Sequence, residues 1–223
     1  VLFILKKLII IKLKKIMNYI ILGAPASGKG TQAELLSKKL NIPHIASGII
    51  LRENINNKTE LGLKVEAILN RGDLVSDDIV IDLIKNRLEQ GDCKDGYILD
   101  GFPRTIAQAE ALDGITKIDK VIDIVVNDDV AVSRITNRRM CKSCGNPYHL
   151  EFNPSKLEGV CDKCNGELYL REDDKEEVVK DRLKVYHDQT EPLKEYYKEK
   201  IITIDGIPSI KQVTESIFKN LQI

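Results

Sequence analysis

The stretch GAPASGKGT, residues 23 to 31, combines three glycines, a lysine and hydroxyl residues at a spacing suited to phosphate binding. It follows the apolar run NYIIL and leads into a helical pattern. Gly-x-x-x-x-Gly-Lys in that setting is a P-loop, whose backbone N–H groups cradle phosphate oxygens at a helix N-terminus. Gly23 and Gly28 permit the tight turn, and Lys29 supplies a mobile positive charge. Ala26, Ser27, Gly28, Lys29, Gly30 and Thr31 are therefore the candidate phosphate cradle. One place departs from the strict motif. Gly30 stands where a Ser or Thr would ligate Mg²⁺, and Thr31 comes one residue later.

A second group is CKSCGNPYHLEFNPSKLEGVCDKC, residues 141 to 164, with two C-x-x-C pairs. Four thiolates at this spacing make a closed tetrahedral Zn²⁺ site with no open position, so the metal would be structural. The candidate ligands are Cys141, Cys144, Cys161 and Cys164, and His149 is spare. From the residues alone the clip is either a nucleic-acid-binding ribbon or a peg inside an enzyme. Cys93 stands alone and is expected to be an ordinary reduced thiol.

The elements that must position these groups form an alternating pattern. NYIIL (18–22), HIA (44–46), YIL (97–99), VIDIVV (121–126) and IITI (201–204) are short apolar runs expected as buried parallel strands. Helical patterns lie between them: GTQAELLSKKL, SDDIVIDLIKNRLEQG with Ser76 as its N-cap, and VAVSRITNRRM. The alternation predicts an α/β fold with a parallel sheet. Residues 46–75, with small helices and no strand, and residues 137–174, carrying the cysteines, are expected as insertions.

With 34 basic and 34 acidic residues, the chain carries no global attraction to nucleic acid or anionic membrane. Residues 1–16, VLFILKKLIIIKLKKI, hold eleven apolar residues and five lysines, which interrupt every apolar run short of a membrane span. They are expected to be a spurious or disordered extension, with a membrane-surface segment as the lesser reading. TKID (116–119) resembles the base-reading motif of GTPases, but no D-x-x-G accompanies it, so it is expected as a surface loop.

GAPASGKGTQ, DGFPRT (100–105) and R-x-D-D (171–174) together, in this order, resemble the adenylate kinases from about Met17 to the C-terminus. The resemblance implies a three-layer P-loop nucleoside monophosphate kinase fold with a central five-stranded parallel sheet. The core would comprise residues 17–45, 76–136 and 175–223. Residues 46–75 would be the helical monophosphate-binding domain, and 137–174 a zinc-bound lid of the bacterial type. The implied reaction is reversible, Mg²⁺-dependent phosphoryl transfer from ATP to AMP, giving two ADP.

By motif position, the resemblance makes Lys29, Asp100, Arg104, Arg138, Arg171 and Arg182 the catalytic set. Asp100, at a strand end beside the P-loop, would organise hydrated Mg²⁺. Besides the P-loop residues, Arg134, Arg138, Pro147, Tyr148 and Pro208 would hold ATP, with Arg134 packing on its adenine. Ser47, Arg52, Asp73, Leu74, Val75, Gly101, Phe102, Pro103, Arg104, Gln108, Arg171 and Arg182 would hold AMP, with Gln108 facing its base. Arginine suits these roles because its planar fork stays charged and grips phosphate bidentately. Asp173 and Asp174 would help fix the closed or hinge geometry of the lid. The family usually has T-G-D where this chain has Ser47-Gly48-Ile49, so one carboxylate is missing near the AMP site.

Two rivals remain. A UMP, CMP or GMP kinase would share the P-loop and arginines and differ in base selection. A zinc ribbon on an ATPase core would need a basic, aromatic-bearing face at the clip. Residues 141–170 instead mix three lysines with four acidic residues. ATP, AMP and ADP are the expected partners, with no nucleic acid and no membrane. A cytoplasmic monomer is what the resemblance implies, and paired thiolates fit a reducing compartment.

Overall fold

The computed structural model describes residues 16–223, so the expectation for the basic-apolar N-terminal stretch lies outside the described residues. Five parallel strands form the central sheet: β1 (Met17–Leu22), β2 (His44–Ala46), β3 (Gly96–Asp100), β4 (Lys120–Val125) and β8 (Ile201–Asp205). Their order is β2-β3-β1-β4-β8. The five apolar runs of the sequence are these strands, some gaining one residue at one or both ends, with the run expected over 121–126 shifted to end at Val125.

Period-2 alternation sends successive side chains to opposite faces, and both faces are covered. Tyr19 and Ile21 pack with Ile98, Ile122 and Ile204 against Ala33 and Leu36 of α1 (Lys29–Leu40) and Val213 and Ile217 of α9 (Ile210–Leu221). Ile20 and Leu22 pack with Leu99 and Val121 on the other face. There they meet Val80 and Ile84 of α4 (Asp77–Leu88), Ala109 and Leu112 of α5 (Ile106–Asp113) and Leu193 of α8 (Leu193–Tyr196). The result is the three-layer α/β architecture expected.

Residues 47–70 form a helix pair, α2 (Ser47–Asn56) and α3 (Glu60–Asn70). Thr59 caps α3 by accepting from the Gly62 N–H at 3.0 Å. Gly62 lets the helices touch, since a Cβ there would lie 2.1 Å from the Asn54 carbonyl oxygen. Asp128–Thr136 is α6, capped by Asn127. A second, antiparallel sheet follows, with β5 (Arg138–Cys141) between β6 (Pro147–His149) and β7 (Leu168–Tyr169). The chain returns through a 3₁₀ turn (Glu172–Asp174), α7 (Glu176–Val185) and a π-helical turn (Tyr186–Thr190).

Three local expectations are corrected. The helix expected through residue 140 ends at Thr136, so Arg138 opens a strand. Arg138, Arg139 and Met140 pair with His149, Tyr148 and Pro147, and this non-local pairing overrides local helix propensity. Ser76 occupies the N-cap position of α4, but its hydroxyl makes no capping bond to the backbone. TKID is a loop pinned from within: Ile118 is fully buried, Thr116 bonds the Tyr97 hydroxyl at 2.8 Å, and Asp119 accepts from the Asn18 N–H at 2.9 Å. Cys93 is a buried member of the core beside Arg87, as befits a reduced thiol.

Candidate active site

Strand order reverses around β1, and ligands of open α/β sheets bind where such a reversal leaves a crevice at the carboxyl strand ends. β1 ends at Leu22 and the phosphate loop begins there. Gly23 (φ 143°) approaches so closely that a Cβ would sit 2.4 Å from Ser27 Oγ, and Gly28 (φ 96°) caps α1 in a left-handed conformation. The loop therefore presents its N–H groups at the positive end of α1. Lys29 Nζ folds back to donate to the Ala24 carbonyl at 3.1 Å. Burial pushes its pKa down to about 8; Asp100 opposes the fall, while Arg104, Arg182 and Arg138 add to it.

The neighbouring strand β3 ends at Asp100, which burial would push up. A hydrogen bond from His44 and the charges of Lys29 and Arg104 together hold it below the usual carboxylate range. His44 Nε2 lies 3.2 Å from Asp100 Oδ2. A Cβ on Gly30 would come 3.3 Å from that same oxygen. The carboxylate at the end of β3 thus lies against the place where Ser or Thr stands in the strict motif.

Past Asp100 the chain turns through Gly101, Phe102 and Pro103, with Phe102 fully buried. Gly101 has φ 72°, and a Cβ there would lie 2.9 Å from both Arg104 Nη2 and Ser47 Oγ. The turn is held by Ser47 Oγ and Arg104 Nε, donating to the Gly101 carbonyl at 2.6 and 2.9 Å. Thr190 Oγ1, in the π-helical turn, donates to the Arg104 carbonyl at 2.9 Å. Burial lowers the Arg104 pKa, with Asp100 and Asp173 opposing.

The other arginines gather on two adjacent carboxylates. Arg138 grips Asp174 with Nε (2.8 Å) and Nη2, and Arg182 Nη1 lies 3.0 Å from Asp174 Oδ1. Arg171 forks onto Asp173, with Nε to Oδ1 at 2.9 Å, and Arg52 Nη2 reaches Asp173 Oδ2 at 2.7 Å from α2. Asp173 and Asp174 are 3% and 0% exposed. Arg182 is so buried that its pKa falls to about 10. Lys29, Arg52, Arg104, Arg138, Arg171 and Arg182 make six cations against three carboxylates, Asp100, Asp173 and Asp174. A surplus of buried positive charge beside a phosphate loop is a site for polyanions.

Asp73, Leu74 and Val75 line a cavity of about 300 Å³ together with Ser76, Asp77 and Thr105. Gln108 is buried next to Asp77, donating Nε2 to Asp77 Oδ1 at 2.7 Å and accepting the Arg104 N–H at 2.7 Å. Arg134 donates to the Ile207 carbonyl at 3.3 Å, next to Pro208, and stands 5.9 Å from the Phe152 ring centre. Tyr148 is buried, its hydroxyl 3.4 Å from Cys161 Sγ, so its ring belongs to the cysteine clip. Pro147 is exposed at the start of β6, and Ile49 is exposed on α2. The sulfurs of Cys141, Cys144, Cys161 and Cys164 all lie within 4.8 Å of one another and could hold a metal ion.

The P-loop, Asp100, Arg52, Arg104, Arg138, Arg171 and Arg182 come together at one crevice, whereas Tyr148, expected at the ATP site, packs in the cysteine clip and Pro147 is exposed beside it. Two were missed. His44 and Asp77 touch the set, but in the sequence one lies within the strand run HIA and the other within the helical pattern SDDIVIDLIKNRLEQG, with nothing to mark either. Their pairing with Asp100 and Gln108 spans 56 and 31 residues, so no local pattern carries it.

This crevice, with a phosphate loop on one wall and arginines on the other, defines an α/β nucleotide-binding protein of the P-loop class. The family model described as adenylate kinase matches residues 21–202. The chain is 55% identical over 214 residues to an adenylate kinase of Caldicellulosiruptor saccharolyticus, covering 93% of this chain and all of the relative. It is 52% identical over 208 residues to that of Methanocella arvoryzae (90% and 96% covered), and 50% identical over 208 residues to that of Archaeoglobus fulgidus (90% and 96%). The chain belongs to the adenylate kinase family, and its fold is that of a P-loop nucleoside monophosphate kinase with a central five-stranded parallel sheet.

Proposed function

We propose that the protein catalyses reversible phosphoryl transfer from ATP to AMP, giving two ADP, and so balances adenine nucleotides and serves purine salvage. The observation that carries this reading is the meeting of Lys29 and Arg104 on either side of Asp100, with a base-sized cavity beyond Arg104. Two phosphate chains laid end to end, one on the P-loop and one on Arg104, would bring donor and acceptor into line. Phosphoryl transfer needs such positioning and charge neutralisation more than covalent help.

In this reading the P-loop backbone and Lys29 hold the donor phosphates, and Arg104 with Arg52 holds the acceptor phosphate. Arg138, Arg171 and Arg182 neutralise the charge that develops on the transferred group. Asp173 and Asp174 keep these arginines paired and oriented until phosphate oxygens take over as acceptors. Asp100, with its low pKa and its side chain beside Gly30, fits the role of organising hydrated Mg²⁺, which supplies further charge neutralisation when bound. Arg134 and the 207–208 turn would flank the donor base. Gln108 would meet the acceptor base.

We assign residues 46–75 as the monophosphate-binding domain and 137–174 as a lid, joined in this state by the Arg52–Asp173 pair. Such a bridge between the two insertions suits a site that must exclude water during transfer. The four cysteines suit a structural zinc: all are sulfur donors, and Cys161 Sγ also accepts the Lys163 N–H at 3.4 Å. The lid's own apolar cluster is small, Cys141, Tyr148 and Cys161 with Leu168, so metal would replace a core. Among the described residues no helix is long and apolar enough to cross a membrane. The thiolate clip fits a reducing cytoplasm, and a monomer completes the reading.

The test is a coupled assay of purified protein with Mg²⁺, ATP and each of AMP, UMP, CMP and GMP. Rapid ADP formation with AMP alone is expected. A preference for a pyrimidine monophosphate would overturn the acceptor assignment, and no transfer to any of them would overturn the function.

A further inference from the structure

The Gln108 side chain can be presented in two ways, and the choice decides which purine it can pair with. Its amide is nearly symmetric in shape but carries an acceptor at one end and two donors at the other. Adenine offers an amino donor beside a ring-nitrogen acceptor, which an amide meets with Oε1 and Nε2 respectively. The Watson–Crick edge of guanine offers the reverse order, a carbonyl acceptor beside an N–H donor. Turning the amide over would therefore exchange adenine for guanine.

We infer that Asp77 is a specificity-determining positioning residue: it fixes the Gln108 amide in the adenine-reading orientation. A carboxylate only accepts and a backbone N–H only donates. Asp77 Oδ1 takes the Nε2 hydrogen at 2.7 Å, and the Arg104 N–H gives to Oε1 at 2.7 Å, so both partners demand the same orientation. In the turned-over amide, oxygen would face carboxylate and N–H would face N–H. Asp77 is itself held, with Thr105 Oγ1 at 3.1 Å from both its oxygens, and it sits in the first turn of α4, where the helix dipole favours its charge. Asp77 and Thr105 also line the 300 Å³ cavity. Gln108 is 2% exposed, so its amide orientation is set by these two protein partners. One Nε2 hydrogen and one Oε1 lone pair remain for a base.

This inference rests on the acceptor site proposed above, and the experiment separates the two. kcat and KM for AMP and for GMP, with ATP as donor, are measured in the wild type, D77N and D77S. An asparagine or serine can donate as well as accept, so it no longer forbids the turned-over amide. The ratio of kcat/KM for AMP to that for GMP is expected to fall about tenfold, mainly through KM for AMP, with KM for ATP unchanged. The same substitutions in a Q108L background are expected to leave the already reduced ratio alone. A merely structural role would lower the melting temperature and all rates together without moving the ratio. An unchanged ratio in D77N and D77S, or an equal fall in the Q108L background, overturns the role of Asp77. A wild type that does not prefer AMP overturns the acceptor reading itself. Should D77N fail to fold, D77S, with a residue favoured at helix starts, carries the measurement.

Discussion

Replacing Asp174 by asparagine tests how the arginine cluster is kept in place. Asp174 has no exposed surface; it accepts Arg138 Nε at 2.8 Å and Arg182 Nη1 at 3.0 Å, with Arg171 Nε at 3.8 Å. Asparagine keeps the shape and one acceptor oxygen but removes the charge. Arg52, Arg138, Arg171 and Arg182 would then have Asp173 as the one carboxylate left between them. Breaking one partner out of a buried ion pair costs about 3–5 kcal/mol, and the retained acceptor places D174N near the lower end. For a chain of this size about 3 kcal/mol lowers the melting temperature by roughly 6–12 °C. By contrast, K38A, which removes an exposed pair with Glu34 at 2.6 Å, should move it by less than about 2 °C. The assay is thermal unfolding, without nucleotide and then with a saturating non-transferable ATP analogue. Its phosphates supply the missing negative charge, so the gap between D174N and wild type is expected to narrow. A ligand-free D174N that melts within 2 °C of the wild type would refute the claim that Asp174 neutralises the cluster.

Other outcomes follow from single features of the site. Lys29 has its pKa lowered by burial from 10.5 to about 8, so its charge opposes folding below pH 8, and the penalty fades between pH 8 and 10.5. K29M should therefore abolish phosphoryl transfer yet stabilise the ligand-free protein by roughly 1–3 kcal/mol at pH 7, an advantage that shrinks as urea melts are repeated toward pH 10. His187, between Glu191 at 2.7 Å and Asp128 at 3.1 Å, has its pKa raised by these partners, so its contribution is full below about pH 6.5 and lost as pH rises through the higher folded value. The melting-temperature difference between wild type and H187Q should accordingly shrink from pH 6 to pH 8. Titrating the thiols with a mercurial should release a single zinc ion per chain, while C161S retains none and melts its lid early by hydrogen exchange. G62A should drive α2 and α3 apart, costing about 1–3 kcal/mol and raising KM for AMP more than KM for ATP.

The elements that could be read in advance are those whose cause is local. Strand β1 with its glycine loop was legible because a buried strand, a turn requiring glycine and a helix start lie within fifteen residues of each other. The cysteine clip was legible because C-x-x-C pairs have one dominant chemistry at that spacing. What stayed hidden involves partners far apart in the chain. Arg138 was expected on a helix, and only its pairing opposite His149 makes it a strand residue that can fork onto Asp174. Gly30 read as a defect of the motif until the carboxylate of Asp100 was found beside it.

Chemistry and spacing alone thus determined the phosphate loop, the thiolate set and the succession of strands and helices along the chain, while the reaction class came from the resemblance of the motifs to a family. Tertiary structure decided the pairings: Arg52 with Asp173 across 121 residues, His44 with Asp100 across 56, and Gln108 with Asp77 across 31. The reason is physical. A turn or a helix start is set by backbone conformation over a few residues, whereas a buried charge takes whichever partner the folded sheet brings to the same strand edge.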